Sequence, residues 1–294
     1  MEKIIKLNYC QNNNFGDELS PYLIEKITGR GVLHYTGENK IGSLYAIGSI
    51  ISYEEIRSGG LIWGSGVMTR KALKRFPYLF PVNRTIPNPV NRTIPKLIRR
   101  IKENKEISCD IRLIRGRLSR NLLLEEKVNC PEIFGDPAIV VRRFYTPSVL
   151  SESRYDFGLI CHKNQEGLID QKVVEKHGGC LISIQRQGER ELEKFISEIN
   201  LCKKIFSSSL HGLMMGHVYG VPAQWVQVKN KKIHRDQEFK FYDYFTGVEI
   251  PEERPIIIDN ESIAGLKDFH PRKVVIEDRI VDRVLAAFPF DALR

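Results

Sequence analysis

Residues 207–220 read SSSLHGLMMGHVYG and place three hydroxyls and an imidazole where a short apolar run, KIFSS at 204–208, gives way to a small-residue helix predicted over 210–220. A helix starting there presents unpaired backbone N–H groups and the positive end of its dipole, a combination that favours an anion. Ser207, Ser208 and Ser209 can add hydroxyl donors, and Gly212 lies in the same first turn. His211, also in that turn, can donate a hydrogen bond or a proton near neutral pH. Phosphate is the natural guest of such a group. The same spacing also fits a serine cap with a histidine bonded to a carbonyl.

Other strand ends carry chemistry of the same kind. Arg115 follows the apolar run in IRLIRG, and Arg117 lies two residues on; a guanidinium there suits a bidentate grip on carboxylate or phosphate, or simply a surface. Asn14, Gly16 and Asp17 lie in NFGDELS, where the carboxylate either caps a helix or accepts a hydroxyl proton. Gly64 and Ser65 in WGSG allow close approach of backbone to a ligand. Asp136 in Gly-Asp-Pro either orients a neighbour or makes a turn. No P-loop or dinucleotide-binding glycine pattern occurs, and no cluster with metal-ligand spacing is visible, so no metal is expected.

These stretches need elements to hold them. KIIKLNY (3–9), LYAIGSII (44–51), LIWGSGV (61–67), CDIRLIRG (109–116) and PEIFGDPAIV (131–140) read as strands, with helices over the region before Gly29 and over 117–127. A second alternation follows: strands at 155–162, 179–184, 204–208 and 223–228, helices at 168–177, 189–203 and 210–220. The apolar runs suit strands buried on both faces, as in parallel sheets. The expected fold is α/β, with two doubly wound Rossmann-like domains facing a cleft. The first spans 1–145 and the second 152–260, with a helical tail at 261–294 that packs back across both. In such sheets ligands sit beyond the carboxyl ends of the strands, so the cleft is the expected site.

With 294 residues and 42% hydrophobic residues the chain can form sizeable cores. No apolar run reaches the ~20 residues of a membrane span, and the N-terminal run is too short for a signal peptide, so a cytoplasmic location is expected. Six scattered cysteines without a C-x-x-C pair indicate neither a zinc site nor a disulfide framework. The net charge of +9 admits an anionic partner. Much of it lies in 70–105, which carries eleven Lys and Arg against Glu103 and includes Phe76, Tyr78 and Phe80. That mixture suits either an anionic membrane surface or a solvated face. No nucleic-acid module is present, so nucleic acid is not an expected partner. Within this segment an octapeptide is nearly repeated, PVNRTIPN then PVNRTIPK at 81–96; its prolines argue for an extended loop.

In order, NFGDELS (14–20), AIGSII (46–51), IWGSGV (62–67), IRGRLSRNLL (114–123), GDPAIV (135–140) and SSSLHGLMMGHVYGVPA (207–223) resemble the polysaccharide pyruvyltransferase family, in particular the ketal pyruvyltransferases of bacterial exopolysaccharide and capsule synthesis. The resemblance implies a two-domain arrangement like that of GT-B glycosyltransferases. It implies phosphoenolpyruvate as donor, a saccharide acceptor that is commonly lipid-linked, and a cyclic pyruvate ketal as product. On it, His211 is the candidate acid and Asp17 an acceptor contact or base. Arg115, Arg117, Ser207, Ser208, Ser209 and Gly212 would bind the donor, and Asn14, Gly16, Gly64 and Ser65 the acceptor. No cofactor is implied beyond the donor itself. Many members carry arginine where Ser209 stands, which moves weight to Arg115. A GT-B glycosyltransferase using a nucleotide sugar is the alternative enzyme, and a basic protein that only binds anions is the alternative without catalysis.

Overall fold

The computed structural model describes residues 4–37, 41–57, 59–68, 109–148, 153–229, 231 and 237–293. Ten short strands form two parallel five-stranded sheets. The first contains β1 (Ile5–Asn8), β2 (Val32–His34), β3 (Leu44–Tyr45), β4 (Leu61–Trp63) and β5 (Asp110–Leu113), in the order β2-β1-β3-β4-β5. The second contains β6 (Phe157–Ile160), β7 (Gly179–Leu181), β8 (Ile205–Ser207), β9 (Ala223–Val228) and β10 (Ile256–Ile258), in the order β10-β9-β8-β6-β7. Counted from its own first strand, each sheet has the same order, 2-1-3-4-5. In this doubly wound order the chain leaves the first strand in one direction and returns to its other side, opening a crevice between the first and third strands. The α/β class with parallel, Rossmann-like sheets is therefore present in both halves.

The helices follow from local pattern. Helix Glu189–Asn200 buries Leu192, Phe195, Ile196 and Ile199, a spacing that makes one apolar stripe. Its other face carries the charges. Helix Leu210–Tyr219 is buried nearly all round, and its glycines bring it down onto the sheet: a Cβ on Gly216 would lie 2.6 Å from that of Ala223. Helix Phe15–Thr28 starts at Asn14, whose Oδ1 accepts from Gly16 N at 3.0 Å.

The halves are joined closely. Phe15 N donates to Ile184 O at 2.9 Å and Arg186 N to Asn13 O at 2.7 Å. Helix Phe15–Thr28 lies against helix Glu189–Asn200, with Phe15 and Phe195 rings 4.2 Å apart. One apolar core contains Leu7, Leu23 and Leu113 from the first half and Phe195, Met214 and Trp225 from the second. Each fully buried side chain of this kind contributes about 1.5–3 kcal/mol. Helix Asp278–Ala286 returns to the first half, where Trp63 Nε1 donates to Val284 O at 2.9 Å and the Trp63 ring meets Phe288 edge-on.

Several expected elements differ. The segment 131–140 holds no strand beyond a single bridge between Ile114 and Phe134; instead Pro137–Arg143 is a 3-10 helix. Asp136 caps it through Ala138 N at 3.0 Å, and Pro137 at the first position pre-sets its backbone. β3 and β4 are much shorter than their apolar runs, because residues 46–52 and 64–67 leave the ladder to line the crevice or fill beneath it. The tail is helical over Ile263–Leu266 and Asp278–Ala286, with irregular chain between them. β2, β10 and helix Phe239–Gly247 were not expected. The basic segment 70–105 and the duplication 81–96 lie outside the described residues.

Candidate active site

A cleft of about 310 Å³ opens between the two halves at the carboxyl ends of the strands. Its walls follow from the strand order. Cys10, Asn12, Asn14 and Asp17 come from the turn after β1, and Gly48, Ser49 and Ile50 from the turn after β3. His162 and Asn164 follow β6, and Ser209, Leu210 and His211 follow β8. These are the crevices at which each sheet reverses direction, and the two face one another. Arg115 after β5 and Lys240 from helix Phe239–Gly247 complete the basic side.

His211 opens onto this cleft. Its ring rests on the backbone of Gly16, where a Cβ would lie 1.8 Å from Nδ1. Its Nε2 is buried and has no hydrogen-bond partner among the described residues. Burial, and then the positive charges of Lys240 and Arg115, push its pKa down to about 3. This favours the neutral imidazole, and an anion placed beside it would oppose the two charges that hold it so. Gly16→Ala should displace the ring. We expect turnover to fall at least tenfold and stability to fall by about 1–3 kcal/mol, and undiminished turnover would show that this seat is not needed.

Asp17 is half-buried on the opposite wall, and burial raises its pKa; the hydrogen bond from Asn12 and the charges of Lys163 and Lys240 oppose that rise. Ser209 is the N-cap of helix Leu210–Tyr219, yet its side chain makes no capping bond, which leaves the hydroxyl at the cleft. The first N–H groups of that helix have no intrahelical acceptors. Helix end, hydroxyl and imidazole therefore converge on one corner.

Other expected site residues are placed differently. Ser207 and Ser208 do not reach the cleft. Ser207 Oγ donates to Ser209 O at 2.8 Å, and Ser208 Oγ donates to Gln165 Oε1 at 2.7 Å and accepts from His162 N at 2.9 Å. They hold the loops in shape because buried hydroxyls must be paired. Gly212 is a packing residue: a Cβ there would meet Ser207 Oγ at 2.4 Å. Arg117 is exposed and lies over the Phe134 ring at 4.8 Å, away from the cleft. On the expected acceptor side, Asn14 lines the cleft, whereas Gly16 seats His211 and Gly64 and Ser65 lie beneath the site. Gly64, at φ 87°, leaves room for Pro137, and Ser65 Oγ donates to Ala46 O at 2.7 Å.

Arg115 forms part of the wall but is itself buried and tied down. Its Nε donates to Asp243 Oδ2 at 2.9 Å, Nη1 to Ser49 Oγ at 2.6 Å and Nη2 to Val67 O at 3.3 Å. Asp243 also accepts from Ser119 N at 2.8 Å and Ser119 Oγ at 2.6 Å. This network crosses between the halves, and Gly116 is pressed so close that a Cβ would meet Asp243 O at 1.8 Å. Its charge is compensated where it stands. Arg115 bonds Asp243 through Nε alone, with Nη1 and Nη2 held by Ser49 and Val67, so its fork is engaged by the protein rather than set for the expected bidentate grip on a ligand.

Lys240 and Asp243 escaped the sequence reading. Their signal was FKFYDYF at 239–245, where a base and an acid interrupt an aromatic helix. Charges at such positions ask for partners on another element. Among the described residues no group of three or more His, Cys, Asp or Glu is arranged to hold a metal ion. No described helix is long and apolar enough to cross a membrane.

Residues 58–230, more than half of the chain, match the polysaccharide pyruvyl transferase family. The match includes Arg115, His162, Ser209 and His211 of the cleft and leaves out Asp17 and Lys240. An uncharacterized protein of Acanthamoeba polyphaga mimivirus is 28% identical over 137 residues, which cover 46% of this chain and 47% of that one. The chain thus spans about half the length of that curated relative. With the family match running through both sheets and over the histidine corner of the cleft, the chain belongs to the polysaccharide pyruvyl transferase family.

Proposed function

We propose that this protein transfers the pyruvyl group of phosphoenolpyruvate to a sugar, forming a pyruvate ketal during polysaccharide synthesis. The observation that carries this reading is the cleft corner formed by His211, Ser209 and the start of helix Leu210–Tyr219, inside the span matched by the family. Phosphoenolpyruvate carries phosphate and carboxylate on three carbons, and its reaction with an alcohol begins with protonation of the methylene carbon. The helix end and Ser209 would receive the phosphate. His211 would gain a proton as the donor's negative charge enters, then pass it to the methylene carbon. The sugar oxygen attacks the central carbon as positive charge builds there, with Asp17 taking the hydroxyl proton. The C–O bond to phosphate then breaks, and the second sugar hydroxyl closes the ketal. Of the two hydroxyl protons lost, the methyl group retains the equivalent of one and the departing phosphate the other.

The two sheets of equal strand order facing one cleft support a GT-B-like arrangement for this chemistry. The basic segment 70–105, with its interleaved aromatic residues, fits a protein that works at an anionic membrane surface on a lipid-linked acceptor. The reading is tested by incubating the protein with phosphoenolpyruvate and a panel of lipid-linked and synthetic glycosides, with mass spectrometry as readout. We expect a pyruvylated glycoside and stoichiometric phosphate release. Sugar transfer from nucleotide sugars, with no pyruvylated product, would replace this reading with a glycosyltransferase.

A further inference from the structure

We propose that Lys240, and not Arg115, is the cation that receives the carboxylate of the donor; the inference rests on phosphoenolpyruvate being that donor. Two cations line the cleft, and the structure distinguishes them. Arg115 is buried against Asp243 at 2.9 Å, with further bonds to Ser49 and Val67. Its charge is compensated and its fork is oriented by the protein. Lys240 is half-buried, lines the same cleft, and forms no ion pair among the described residues. Asp17 is the acid whose field reaches it, from across the cleft and without an ion pair.

Its Nζ lies 5.6 Å from the centroid of the Phe241 ring and has no carboxylate against it, and a cation partly withdrawn from water in this way gains when an anion arrives. Burial first, then Arg115, push the Lys240 pKa down to about 8, which agrees with that unpaired position. The helix end with Ser209 presents several donors to one point, a match for the three oxygens of phosphate. The second anionic group of the donor then falls to the uncompensated cation that lines the same cleft. In this arrangement the reacting carbon is held between two anchors, beside the imidazole, and the Arg115–Asp243 pair positions the wall from which Lys240 extends.

The test uses the full chain and calorimetric binding of two probes, phosphoenolpyruvate and inorganic phosphate. Lys240→Met keeps most of the apolar stem and removes the charge, and Lys240→Arg restores the charge. We expect wild type to bind both probes. Lys240→Met should lose about tenfold to a hundredfold in affinity for phosphoenolpyruvate and keep its affinity for phosphate. Lys240→Arg should recover much of the loss, and all forms should melt at similar temperatures. Unchanged phosphoenolpyruvate binding by Lys240→Met overturns the inference and leaves the proposed donor standing. Equal losses for both probes overturn it in another way, by assigning Lys240 to the phosphate. A wild type that binds phosphate but not phosphoenolpyruvate removes the proposed donor itself.

Discussion

His211→Gln should lose about a hundredfold to ten-thousandfold in pyruvyl transfer while remaining folded, the range spanned by positioned acid catalysis. The ring is the one group that opens on the cleft with a buried, unpartnered nitrogen among the described residues of that corner. Burial and the charges of Lys240 and Arg115 push its pKa down to about 3, which favours the neutral ring. The sign is determined by charge: an anion beside the ring favours the imidazolium and raises the pKa from that low value. Binding of phosphoenolpyruvate at about pH 6, where a ring returned toward its ordinary range is largely protonated, should therefore take up protons in wild type beyond any uptake in His211→Gln. Calorimetry in buffers of different ionisation enthalpy measures the difference. Equal uptake by the two proteins, or turnover of His211→Gln within a factor of about three of wild type, would remove the imidazole from the reaction.

Asp243→Ala should destabilise the protein by about 3–5 kcal/mol, because it leaves the Arg115 guanidinium buried and unpaired. The side chains are 1% and 0% exposed, so no water can take the place of the lost carboxylate without a rearrangement of the packing. The loss has a second part, since Ser119 N and Oγ give up their acceptor as well. Because the pair bridges the halves, its removal should loosen their relative placement. Urea unfolding reads the effect. The double variant Arg115→Met, Asp243→Leu should recover much of the stability, as apolar replacement of a buried pair often does. A single-variant loss below about 1 kcal/mol would mean that the guanidinium finds another partner, and would be inconsistent with its enclosure.

The comparison of sequence and structure turns on range. Alternating apolar runs and amphipathic stretches announced the parallel sheets, because each depends on neighbours a few residues apart. The expected residues His211, Asp17, Asn14 and Ser209 line the cleft because all sit on strand-to-helix turns, and parallel topology sends every such turn to the same edge. The residues that moved were of another kind. Ser207, Ser208 and Ser65 have the chemistry of ligand contacts, but their hydroxyls satisfy buried backbone and amide groups supplied by distant loops. Gly16, Gly64 and Gly212 answer close approach by a histidine, a proline and a serine. Nothing in their own segments names those neighbours.

The chain alone determined its class, its alternation of strand and helix, and a histidine at a helix start. Those features are local and follow from period, capping and charge. Only the tertiary structure decided which cation of the cleft is compensated. That depends on Asp243, which lies 128 positions from Arg115 and reaches it across the two halves. Compensation of one charge and not of the other is a property of distance in space, and no short stretch of sequence contains it.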